Sequence, residues 1–208
     1  MKSSTLGALL SIVFATPAFA AFVGAADPGL WTTSNTGTLI GGSPTLGSAS
    51  FSPTTLLLTG SNSSSPDPAN FEPGCAGGIY GDLTSPCQTQ TVLAGAGTYS
   101  FDWSYETFDN GGPGGDIFGV LIDGTRIAIS DPGGPVAQPG GHLSFNASTS
   151  FGFFINCTDC IEGGAAASIT NFESTNVAIP EPGSAGLALL AACSVVVVRR
   201  RTRTRQAD

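Results

Sequence analysis

Residues 99–106 place an aromatic side chain at every odd position and a polar one at every even position: Tyr99, Phe101, Trp103 and Tyr105 against Ser100, Asp102, Ser104 and Glu106. Side chains of an extended chain alternate between two faces, so four aromatics fall on one side; a helix would scatter them around its circumference. The segment is therefore a half-buried strand that must lay its aromatic face against a second layer.

The rest of the body reads the same way. Short runs rich in β-branched and aromatic residues are divided by clusters of Gly, Pro, Asn, Asp and Ser, without helical periodicity. Residues 117–122 are uniformly apolar and predict a central strand. Residues 125–130 follow across Asp123 and Gly124, a dipeptide suited to a tight hairpin because both residues tolerate positive φ. Leu143, Phe145 and Ala147 alternate, as do Phe151, Phe153 and Ile155; residues 54–59 and 168–173 supply an early and a last strand. Residues 60–70 and 131–141 read as surface loops. Seven to nine short strands with this punctuation predict an all-β fold, an antiparallel sandwich of jelly-roll-like type.

The chain has 208 residues, and its two ends differ from the body. At the amino end, Lys2 precedes an apolar run over residues 6–15, Pro17 breaks it, and Ala18 and Ala20 form an A-x-A site, so residues 1–20 predict a signal peptide cleaved by signal peptidase after Ala20. At the carboxyl end, Pro180, Glu181 and Pro182 are followed by an apolar run over residues 183–198 and then by Arg199, Arg200, Arg201, Arg203 and Arg205. As a helix the run rises about 24 Å against about 30 Å of hydrocarbon, a marginal span that the arginines would stop on the cytoplasmic side. The expected organisation is a signal peptide (1–20), a β-sandwich domain (21–178) and an anchor segment with a single transmembrane helix (179–208), to which a family resemblance adds a sorting role.

The order of Pro-Glu-Pro, apolar helix and arginine cluster at the extreme terminus resembles the PEP-CTERM sorting tail of exported bacterial proteins. That resemblance implies an exosortase-like enzyme that reads Pro180, Glu181 and Pro182 while the helix holds the substrate in the inner membrane. More weakly, the strand segments 99–105, 118–122, 151–155 and 168–172 look like the sandwich bodies found in many PEP-CTERM proteins, a likeness that supports the fold and does not name a chemistry.

Between residues 21 and 178, Arg126 is the only Lys or Arg against thirteen Asp and Glu, a balance near −12. Nucleic acid is thereby excluded as a partner, since phosphate backbones are bound through Lys and Arg. Four cysteines lie in the body, Cys75, Cys87, Cys157 and Cys160, and an even number in an exported chain points to disulfides. Three pairings are open; the local one, Cys75 with Cys87 and Cys157 with Cys160, is preferred. The C-x-x-C at 157–160 lacks the βαβ setting of a redox motif, and no second C-x-x-C accompanies it to make a zinc site.

Catalysis finds little support. His142 is the only histidine, G-x-S-x-G does not occur, and Asp102 and Glu106, four residues apart on one strand face, stand about 13 Å apart, too wide for a glycosidase pair. The best ion candidate is the loop 109–116, where Asp109, Asn110 and Asp116 offer oxygens on a glycine-rich turn suited to calcium, although its spacing is not that of an EF-hand. Trp103, Tyr99 and Tyr105 would stack on sugars if exposed, but sharing one strand face they are expected in the core. The reading is a non-enzymatic surface or matrix protein without a required cofactor, structural or adhesive in an exopolysaccharide or biofilm setting. The alternative is a carbohydrate- or calcium-binding sandwich module held at the cell envelope.

Overall fold

The computed structural model describes residues 22–41, 43–63, 74–161 and 163–175. The signal-peptide segment and the sorting segment, with Pro180, Glu181, Pro182 and the arginines, lie outside the described residues. Among those described, no helix is long and apolar enough to cross a membrane.

Two 3-10 turns, Gly24–Ala26 and Pro28–Leu30, lead into thirteen strands: β1 (Trp31–Thr36), β2 (Pro44–Thr45), β3 (Ser48–Phe51), β4 (Thr55–Thr59), β5 (Asn62–Ser63), β6 (Gln88–Ala94), β7 (Gly97–Thr107), β8 (Asp116–Ile122), β9 (Thr125–Ala128), β10 (Ala137–Gln138), β11 (His142–Ala147), β12 (Ser150–Cys157) and β13 (Ala165–Ser174). All pairings are antiparallel. One large sheet runs β1-β6-β12-β8-β9, a second runs β10-β7-β13-β4-β3 with β11 also pairing along β7, and β2 pairs with β5 in a small two-stranded sheet. The fold is an all-β antiparallel sandwich. Thirteen strands exceed the seven to nine expected because several are two-residue pairs, and β10 lies within the segment 131–141 that reads as a loop.

The alternation in β7 turns Tyr99, Phe101 and Tyr105 into the core, while Trp103 is half-buried at its edge. Facing them from the other sheet are Phe118, Phe151, Phe153 and Ile155. Tyr99 stacks on Phe151 at 4.5 Å between centroids, and Phe101 meets Phe153 edge to face at 4.8 Å. Such pairs are worth about 0.5–1.5 kcal/mol each beyond the area they bury. This aromatic layer fixes the two sheets face to face and therefore holds the strand ends in register.

Strand β6 is central and buried although its sequence is Gln-Thr-Gln-Thr over its first four residues. Most of its polar groups are satisfied sideways: Thr89 donates to Asn35 at 2.7 Å, Thr33 donates to Thr91 at 3.0 Å, and Gln90 donates to Ser34 at 3.2 Å, while Gln88 Oε1 is buried without a partner among the described residues. A buried polar group with a partner avoids the desolvation cost that would otherwise keep it at the surface.

Strand β8 joins the two ends of the sandwich. At its far end Asp123 and Gly124 turn into β9 with φ of 52° and 80°, the left-handed pair that a two-residue hairpin requires. At its near end Asp116 pairs with Cys157 of β12. The loops entering and leaving that near end carry most of the unusual chemistry of the molecule.

Candidate functional site

All four body cysteines are fully buried in one cluster, bridged Cys75–Cys87 and Cys157–Cys160, which is the local pairing. The Cys157 amide donates to the Cys87 carbonyl at 3.0 Å, so the two bridges are also tied to each other. The sulfurs of Cys75, Cys87 and Cys160 lie within 4.8 Å of one another; bound in bridges, they offer no thiolate to a metal. Closing a loop with a sequence separation of 12 stabilises the fold by about 3 kcal/mol in the chain-entropy picture.

Beside this staple three carboxylates converge from two segments. Asp109 follows the end of β7, Asp116 opens β8, and Asp159 stands between the bridged Cys157 and Cys160. Asp109 and Asp116 are buried and Asp159 is half-buried. An added Cβ on Gly115 would stand 1.9 Å from Asp109 Oδ2 and 3.2 Å from Asp159 Oδ1. Asp109 Oδ2 therefore occupies the space that a side chain at position 115 would fill, and Asp159 Oδ1 would be crowded by it.

Local hydrogen bonds place each group. The Gly111 amide donates to Asp109 Oδ1 at 2.6 Å, and the Thr107 hydroxyl donates to Asp116 Oδ2 at 3.1 Å. Thr158 donates its amide to the Gly115 carbonyl at 2.7 Å and its hydroxyl to the Gly114 carbonyl at 2.8 Å, sewing the 157–160 segment to the glycine-rich loop. The Tyr80 hydroxyl donates to the Gly111 carbonyl, and its ring lies where a Cβ on Gly114 would be, 2.7 Å from the phenol oxygen. Asp116 Oδ1 and Asp159 Oδ1 are buried without a hydrogen-bond partner among the described residues.

The electrostatics follow from this crowding. Burial first, and then the Asp109 carboxylate, hold Asp116 well above the ordinary carboxylate range. The same two causes push Asp159 up to about 7. Burial and the carboxylates of Asp109 and Asp159 also raise the Tyr80 phenol. Arg126, the only Lys or Arg of the body, directs its guanidinium to the carbonyls of Leu83 and Ser85.

The loop 109–116 thus brings Asp109 and Asp116 together as its sequence suggests, and leaves Asn110 exposed. Asp159 and Tyr80 were not legible as members. Asp159 reads from sequence only as the interior of a C-x-x-C, and its approach depends on the pairing of Cys157 with Asp116.

A second constellation lies on the outer face of the β7 sheet. His142 Nδ1 is 2.9 Å from Asp102 Oδ1, and Asn171 donates to Asp102 Oδ2 at 2.7 Å. These two hydrogen bonds, Asn171 first, lower the Asp102 pKa. The line resembles the orienting part of a catalytic triad, but the same-face hydroxyl of Ser144 is two residues along β11, about 6.6 Å at strand rise. Along the same face, Leu57, Ser104, Glu106, Gln138, Ala166 and Ser168 line an open groove of about 400 Å³. Tyr99 and Tyr105 are buried and unavailable for sugar stacking.

No protein-family model matches the chain, and no curated protein matches it.

Proposed function

We propose that the chain is an exported, non-enzymatic protein of the bacterial surface or extracellular matrix, with a jelly-roll-like sandwich as its working body. Residues 1–20 direct export and are removed by signal peptidase. Residues 179–208 hold the precursor in the inner membrane until an exosortase-like enzyme reads Pro180, Glu181 and Pro182, with the arginines as the stop. The observation that carries this reading is the cysteine cluster: two buried disulfides at one end of the sandwich suit an oxidising compartment outside the cytoplasm. The acidic, lysine-free body favours repulsion from nucleic acid and solubility in a polysaccharide matrix.

The test is the intact mass of the protein recovered from its own host. Wild type is expected to begin at Ala21 and end near Pro180, Glu181 and Pro182, with or without an added group. Glu181→Ala is expected to accumulate as precursor in the inner membrane. Release of the variant at the wild-type mass would overturn the sorting role, and a wild-type mass running through Asp208 would make the tail a permanent anchor.

A further inference from the structure

We infer that Asp109, Asp116 and Asp159 form a binding site for a calcium ion, closed over by Tyr80 and backed by the cysteine staple. Asp109 and Asp159 pack against Gly115, the chain neighbour of Asp116, so three carboxyl groups crowd together while the single arginine of the whole body is engaged with carbonyls elsewhere. Asp116 supplies the deciding feature. Its side chain is fully buried, Thr107 satisfies Oδ2, and Oδ1 is left without a partner. A buried carboxylate oxygen without a donor is costly, and a bound cation is the partner that removes the cost. Asp159 Oδ1 presents a second such oxygen from the opposite segment.

The donor set is entirely oxygen, which selects a hard cation over zinc or copper. Calcium fits better than magnesium because the carboxylates come from separate loops of irregular geometry, and calcium accepts six to eight oxygens at flexible angles, some of them from water.

The site itself stands on the geometry and is independent of the sorting reading. Its expected affinity rests on that reading, because modules outside the cell bind calcium at about 10⁻⁴–10⁻³ M.

The test uses the full-length purified protein, melted in chelator and in 10 mM calcium, with equilibrium dialysis against radioactive calcium. Wild type is expected to retain about one ion and to melt roughly 5 °C higher in calcium. Asp116→Asn is expected to lose both responses and, in chelator, to be no less stable than wild type, since a carboxyl whose ionisation burial and its acidic neighbours oppose has gone. If that variant does not fold, Asp159→Asn, at a half-buried position, serves the same comparison. An unchanged wild-type melting temperature with no retained calcium would overturn the site. So would a full calcium response in both variants, and an equal rise in magnesium would overturn the assignment to calcium. Both variants are expected to be processed at the carboxyl end like wild type, which separates this outcome from failure of the sorting proposal.

Discussion

Asp116 and Asp123 bracket a single strand, and their carboxylates have opposite surroundings. Asp123, beyond the end of β8, is exposed and accepts hydrogen bonds from the amides of Ser148, Thr149 and Ser150 at 2.7–3.1 Å and from the Thr149 hydroxyl at 2.9 Å. Those amides, Ser148 first, hold it far below the ordinary range. Asp116 is buried, has one hydroxyl donor and faces two other carboxylates, so it is held far above that range. Six residues of strand separate a carboxylate that the backbone welcomes from a carboxyl whose ionisation its surroundings oppose. The first kind of carboxylate builds a corner; the second is of the kind concentrated at functional sites.

What both ends share is the aromatic layer between the sheets, and breaking it should disable them together. Phe153 is fully buried and its ring meets Trp31, Phe101, Phe118, Phe151 and Phe172. Phe153→Ala is expected to cost about 3–5 kcal/mol, read as a lower denaturant midpoint. A loss under about 1 kcal/mol would mean that the two sheets do not depend on this layer.

The next effect should be confined to the Asp116 end. Removing the Cys75–Cys87 bridge by Cys75→Ala with Cys87→Ala is expected to cost about 2–4 kcal/mol. Hydrogen exchange should rise in residues 74–87 and 108–116, while the hairpin amides at Ser148, Thr149 and Ser150 stay protected. Equal loss of protection at both ends would show that the staple holds the whole sandwich and not one end of it.

The sequence made some of this visible and hid the rest for physical reasons. The inward face of β7 was readable because its aromatics alternate with polar groups, and the uniformly apolar β8 because it is central. Asp123 and Gly124 announced their hairpin through their tolerance of positive φ, which both adopt. Strand β6 was hidden, because its Gln and Thr side chains are buried by hydrogen bonds to Asn35, Thr33 and Ser34, a solution without a hydrophobic period. The site divided in the same way. Asp109 and Asp116 share one short glycine-rich loop and could be found in the chain, whereas Asp159 arrives through strand pairing and Tyr80 through a loop held by Ser85 and Thr158. The line from Asn171 through Asp102 to His142 needs three strands in register and a bulge in β13 that gives Asn171 its φ of 49°. None of these is a local property of the sequence.

The mildest test addresses the Asp123 end by itself. Asn tolerates the left-handed conformation that Asp123 adopts, so Asp123→Asn keeps the turn and removes only the charge. The folded pKa of Asp123 lies below the ordinary carboxylate value of 3.8, so the folded state binds its proton less readily than the unfolded chain does. Its contribution to stability is therefore fully present above about pH 4 and is lost as pH falls below that value. The variant should be less stable than wild type at pH 7, and the difference should shrink on acidification toward pH 2, followed by denaturant midpoints at each pH. In calcium-free solution Asp116→Asn should show the opposite sign at pH 7, neutral or stabilising, because it removes a carboxyl whose ionisation burial opposes. Two Asp-to-Asn changes at the two ends of one strand that moved stability in the same direction, by similar amounts, would show that the contrast between donor-rich and buried carboxylates does not govern this molecule.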